Sequence, residues 1–190
     1  IKKATQYIES EFERIGLSKY DTLNSYRQNF DFYGMSFNNV VGVLKGKSLS
    51  DEFVVISAHY DHLGYGNENS LHRGEKNLIH NGADDNASGV AMMIDLASKL
   101  RIANKKNNYL FVAFSGEEIG LLGSNYFTKN PIIELSNINY MINMDMVGRL
   151  NEDTTLAVYG LGTSPIFKQT ISANNTKFKI IQKESGVGPS

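Results

Sequence analysis

The 190-residue chain contains no cysteine, which removes disulfides, thiolate metal sites and a cysteine nucleophile together. Any zinc would have to be held by His, Asp and Glu. Nineteen basic residues against twenty acidic ones leave a net charge of -1. No dense Lys/Arg stripe runs along the chain, so the footprint that phosphate-backbone binding requires is missing and nucleic acid is not expected as a partner. Long apolar runs are missing too. Leu110–Phe114 is typical of the longest and is far too short to span a bilayer, and the first residues lack the charged-then-apolar pattern of a signal peptide, so no membrane insertion is expected. His-Glu-x-x-His and Gly-x-Ser-x-Gly do not occur, nor does the third glycine of a dinucleotide fingerprint at Gly64–Gly66 or Gly160–Gly162.

What is present is enough for a core. An apolar content of 41% over this length fits one domain, expected to run over residues 1–190. Ile1, Ala4, Tyr7, Ile8, Phe12 and Ile15 recur at helical spacing and predict an amphipathic helix ending near Gly16. Val40–Leu44 and Phe53–Ala58 read as adjacent strands joined by a turn, and residues 63–83 as a long surface loop. A helix is expected from Ala87 to Leu100, with Met92 and Met93 in the core, then a strand at Tyr109–Phe114 and a helix at about Glu118–Phe127. Further strands are expected at Asn139–Met144 and Thr154–Tyr159, and a last helix near Ser164, where Pro165 suits the first turn. Strands alternating with helices predict an α/β three-layer sandwich around a mixed, largely parallel sheet flanked by helices.

Chemistry-bearing residues gather at the predicted strand ends. His59 and Asp61 close one strand, Glu117 and Glu118 come after another, Asp145 ends a third, and Asp84 and Asp85 precede a helix. In an open α/β sheet the carboxyl ends of the strands line the ligand crevice. Carboxylates converging there need compensating cations, and a histidine among them favours a transition metal, zinc first, over calcium or magnesium. A two-metal hydrolase needs a bridging carboxylate, terminal ligands and an unligated base, and this inventory nearly supplies that set. Asp84-x-Asn86-x-Ser88-Gly89 with Asp95 imitates an EF-hand loop, but Val90–Ile94 already reads as helix.

Ala58-His-Tyr-Asp-His62, Gly82-Ala-Asp-Asp-Asn-Ala-Ser-Gly89, Ser115-Gly-Glu-Glu118 and Met141-Ile-Asn-Met-Asp145 resemble the four ordered metal motifs of the zinc aminopeptidase family. Secreted bacterial leucyl aminopeptidases and the glutamate carboxypeptidase II ectodomain belong to that family. The resemblance runs from about residue 40 to 150. It implies two zinc ions per complete domain. His59 and Asp145 would bind one, Glu118 the other, Asp85 would bridge them, Asp61 would orient the His59 ring, and Glu117 would be the general base. Asp61 and Glu117 would then be the catalytic carboxylates and a peptide the substrate. The family's last ligand is a histidine in a later Asp-His segment, commonly after a Gly-Pro-Ser-like stretch. This chain stops at Gly188-Pro-Ser190, so a C-terminal part is expected to be missing and the second zinc to lack that ligand, unless His62, His72 or His80 replaces it. The resemblance also leaves open a two-zinc carboxypeptidase, an acyl-amide hydrolase, or a non-catalytic binding domain such as the transferrin-receptor ectodomain. Glutaminyl cyclases share the fold but use one zinc. An extracellular or periplasmic location is expected on the same resemblance.

Overall fold

The structure, a computed structural model, describes residues 1–47, 50–66, 70–74, 78–103, 106–175 and 177–186. The Gly188-Pro-Ser190 stretch and parts of the predicted loops lie outside the described residues. The chain forms two compact units, Ile1–Val147 and Gly148–Ser190.

In the first unit, helix α1 (Lys2–Ile15) ends at Gly16, whose φ of 81° is the left-handed conformation glycine adopts freely. Ile8, Phe12 and Ile15 turn inward, whereas Ile1 and Tyr7 of the predicted apolar set are exposed. Strand β1 (Arg27–Phe32) and strand β2 (Met35–Leu44) form an antiparallel hairpin turned by Tyr33 and Gly34, both at positive φ. After strand β3 (Phe53–His59) come the turn Ala83–Ser88, helix α2 (Gly89–Ala103), strand β4 (Asn108–Phe114), helix α3 (Leu122–Lys129) and strand β5 (Ile138–Asn143). The sheet order is β1-β2-β4-β3-β5. Because β4 inserts between them, β2 and β3 are not neighbours, against the expectation from their short connection. The sheet is mixed as expected, with parallel pairing confined to β4, β3 and β5.

Strand alternation assigns the core. Val40, Val54, Ile56, Ala58, Phe111 and Ala113 face α1 and α2, which add Phe12, Val90, Met93 and Ala97. Val41, Val43, Val55, Leu110 and Val112 face the other way, toward Phe127 of α3 and Ile133. Phe12 and Phe111 are fully buried, each worth about 2–3 kcal/mol of apolar transfer. Gly42 lets α1 come close, since a Cβ there would stand 2.7 Å from Phe12 Cδ2 and 2.8 Å from Leu17 Cδ1. Met93 is in the core, but Met92 is 45% exposed because it lies one residue, about 100°, around the helix.

The second unit contains strand β6 (Thr155–Val158), helix α4 (Pro165–Asn174) and strand β7 (Lys179–Gln182). β6 and β7 pair in parallel as a separate two-stranded sheet. Among the described residues, no helix is long and apolar enough to cross a membrane.

Candidate metal centre

The parallel strands β3, β4 and β5 end on one edge of the sheet, and the segments leaving them meet there. All seven residues of β3 are buried, down to His59 at its end. The backbone carries the pairing one residue further, with Tyr60 N–H donating to Phe114 O. After β4, Gly116 takes a φ of +73° and turns the chain, so α3 begins only at Leu122, four residues later than predicted. The delay leaves Glu117 and Glu118 on a loop that can face the sheet edge. Asn39 on β2 braces this loop, accepting from Ser115 N–H at 3.2 Å and donating to Gly123 O at 3.0 Å.

Asp85 sits in the turn before α2, where Asp85 and Asn86 leave helical geometry and their peptide bond is cis. Asn86 is buried, and its side chain makes three hydrogen bonds. It donates to Met144 O at 3.0 Å and accepts from Gly89 N–H at 3.0 Å and Met146 N–H at 3.3 Å. Thus the turn bearing Asp85 is tied to the chain after β5 that bears Asp145. Gly89 permits this, because a Cβ there would stand 2.4 Å from both Asn86 Oδ1 and Met144 O. Asp95 lies inside α2 and pairs with Lys99, outside any loop.

His59 Nε2 lies 3.2 Å from Asp85 Oδ1, 3.5 Å from Asp145 Oδ1 and 3.9 Å from Glu117 Oε2. On the other side of the ring, Nδ1 is 3.2 Å from the Asp61 carbonyl oxygen and 3.8 Å from its carboxylate. The Asp61 carboxylate itself accepts Glu117 N–H at 3.1 Å and Glu118 N–H at 3.3 Å. Sequence reasoning had no means of seeing that contact, which spans 56 residues. His62, one of the three histidines named as a replacement for the absent ligand, has its Nδ1 2.6 Å from Glu118 Oε1 and 3.8 Å from Asp85 Oδ2. Among the described residues, His72 and His80 join neither group of possible metal donors; their rings are 6.4 Å apart.

Two groups of three donors result, His59 with Asp85 and Asp145, and His62 with Asp85 and Glu118. In each, the donor atoms lie within 4.8 Å of one another, and Asp85 belongs to both. His59 Nε2 and Asp145 Oδ1 are buried with no hydrogen-bond partner among the described residues, and a buried polar atom is rarely left so. Electrostatics agree with that geometry. Burial alone would lower the His59 pKa, yet contacts with Asp145 and Asp61 and the charges of Asp145 and Glu117 push it up to about 10. Burial raises the pKa of Glu117, and the nearby charges of Glu118, Asp145 and Asp61 add to the rise against the opposing effect of His59. A cation among these oxygens would relieve that field, and a histidine and carboxylate donor set fits zinc.

A sequence model of peptidase family M28 matches residues 39–188. Aminopeptidase YwaD of Bacillus subtilis is 30% identical over 121 residues, covering 62% of this chain and 23% of that protein, so the chain spans about a quarter of this relative's length. Among solved structures, a leucine aminopeptidase precursor from Bacteroides thetaiotaomicron superposes with a TM-score of 0.68 at 19% identity, covering 94% of this chain and 68% of that one. A glutaminyl cyclase from the same organism gives 0.69 at 20% identity, covering 94% and 67%. At those identities the structural likenesses establish the fold alone. The match of the family model over most of the length, joined by the four motifs that meet at His59 and Asp85, places this chain in peptidase family M28.

Proposed function

We propose that the protein carrying this chain is a two-zinc aminopeptidase. The observation that carries the reading is the position of Asp85, whose Oδ1 faces His59 and whose Oδ2 faces the Glu118 side of the site. One carboxylate shared by two donor groups is the arrangement a two-metal hydrolase requires. His59, Asp85 and Asp145 would hold one ion; Asp85 and Glu118 would contribute to the other. Zinc, when bound, polarises a carbonyl oxygen and acidifies water.

The rest falls to the chain's own side chains. Glu117 stands on the same loop as Glu118 and faces the His59 group without belonging to either donor set. Its raised pKa suits a carboxylate that takes a proton from the attacking water and returns it to the leaving amine as the C–N bond breaks. Asp61 holds both loop amides and so fixes where Glu117 and Glu118 point.

The reading is tested with the whole gene product in zinc. Its substrates are amino-acid anilides, peptides blocked at the amine but with a free C-terminal carboxylate, and peptides with N-terminal glutamine. Hydrolysis limited to free-amine substrates is expected. Equal cleavage of blocked substrates would replace the aminopeptidase reading with a carboxypeptidase or acyl-amide hydrolase, and cyclisation of the glutamine peptides would replace it with a cyclase.

A further inference from the structure

The loop after β3 is folded around a side chain that the proposed reaction does not use. His62 comes three residues after His59, and its ring is fixed from several directions. Gly82, at φ +64°, backs it so closely that a Cβ there would stand 2.9 Å from His62 Cβ and Cγ. The His80 ring lies 6.3 Å away between centroids. His80 is held in turn by Ser70 Oγ, 2.6 Å from its Nε2, and by its own backbone N–H, which donates to Gly64 O at 2.7 Å. Gly66 makes room for that ring, since a Cβ there would be 2.6 Å from His80 Cε1. The long loop therefore delivers His62 to Glu118 with its ring orientation set.

Distances decide what His62 does there. Two donors sharing a tetrahedral zinc, each about 2.0–2.1 Å from it, stand ~3.3 Å apart. The His59 contacts of 3.2 Å to Asp85 and 3.5 Å to Asp145 bracket that edge. The His62 contacts do not. Its 2.6 Å approach to Glu118 Oε1 is the length of a direct, charge-assisted hydrogen bond, and its 3.8 Å separation from Asp85 Oδ2 is longer than a shared coordination edge.

Resting on the two-metal reading above, we propose that His62 is a positioning residue for the carboxylate of the second metal. Its Nδ1–H donates to Glu118 Oε1, which leaves the other Glu118 oxygen and Asp85 Oδ2 for the ion. An outer hydrogen bond of this kind fixes a ligand's orientation without touching the metal.

The test is a calorimetric titration of the metal-free whole gene product with zinc, repeated with cobalt(II) to follow the visible bands, for wild type, His62→Ala and His62→Asn. Wild type is expected to bind two ions. In His62→Ala the second ion should bind ~10–100-fold more weakly, with the first unchanged, as for loss of an outer hydrogen bond. The unchanged first site then also reports correct folding. In His62→Asn the amide nitrogen replaces Nδ1 as donor, so the second affinity and the cobalt spectrum should return close to wild type. Turnover lost in His62→Ala should be regained at saturating zinc. An unchanged second affinity in His62→Ala overturns the proposal. So does a His62→Asn variant as defective as His62→Ala with one ion bound, which would make His62 a ligand itself. A wild-type protein that binds fewer than two ions overturns the two-metal reading, and this inference with it.

Discussion

Asn86 Nδ2 donates to Met144 O at 3.0 Å, and through this bond the turn carrying Asp85 and the strand exit carrying Asp145 are held as one piece. Asn86→Ala would take the side-chain partner from the buried Met144 carbonyl and from Met146 N–H, while Gly89 N–H would keep the Asn86 backbone carbonyl. Each unsatisfied group costs roughly 1–3 kcal/mol, so a loss of about 3 kcal/mol is expected. Urea unfolding should show that loss together with weaker zinc binding at the His59 group. A stable variant with unchanged zinc affinity would mean that Asn86 does not align the two aspartates.

Glu117 belongs to neither donor group, so Glu117→Gln should keep both the fold and the zinc content. Activity should nevertheless fall by about 10²–10⁴-fold, the usual contribution of a general acid–base group. Steady-state kinetics beside metal analysis of the same sample decide this. Retained turnover would remove Glu117 as the base.

Asp61 accepts two amides with two carboxylate oxygens. In Asp61→Asn one of those oxygens becomes an NH₂ that faces an N–H, donor against donor. Turnover is expected to drop ~10–100-fold, as when a group supporting a metal site is lost, with most of the drop in kcat. A loss confined to KM would place Asp61 on the substrate instead.

Gly42 offers a control far from chemistry. Gly42→Ala pushes a methyl into Phe12 and Leu17 and should destabilise the protein by about 1–3 kcal/mol, the common cost of overpacking. Zinc affinity should stay the same. Chemical denaturation and titration of one preparation measure both.

Zinc itself should stabilise the fold, since Asp85 draws groups from β3, the α2 turn and the β5 exit to one point. At a free zinc concentration about 100-fold above Kd the gain is ~2.7 kcal/mol. Adding a chelator should lower Tm and adding zinc restore it, whereas Asp85→Asn should lose most of this response. A wild-type Tm that ignores zinc would contradict binding by these residues.

Much of this architecture was readable from the amino acids because the buried strands are unbroken apolar runs, and an acid or histidine at the end of such a run has little purpose in a core. His59, Glu117, Glu118 and Asp145 stood out for that reason, and Asp85 through its motif. β1 was hidden because Arg27, Asn29 and Asp31 alternate with its buried side. Its Tyr33-Gly34 turn, flanked by Phe30, Phe32, Met35 and Phe37, was the available hairpin signal. The insertion of β4 between β2 and β3 is a long-range pairing that no local pattern encodes. Contacts such as Asp61 with the Glu117 amide and His62 with Glu118 depend on how a loop returns to the sheet edge, which residue type alone does not specify.

β3 is buried along its whole length, and His59 is its last residue, while His62 and Glu118 ride on the loops beyond the strand ends. Local opening is rare in buried central strands and frequent in loops. Two ions bound as proposed should therefore exchange with their surroundings on different clocks. An ion at His59 would have one donor on a buried strand end, besides Asp85 in its turn and Asp145 past β5, and so would leave more slowly and persist longer through a fall in zinc supply. Its neighbour would come and go with the loops, making present zinc supply, and not past loading, the quantity that sets how many molecules are complete at a given moment.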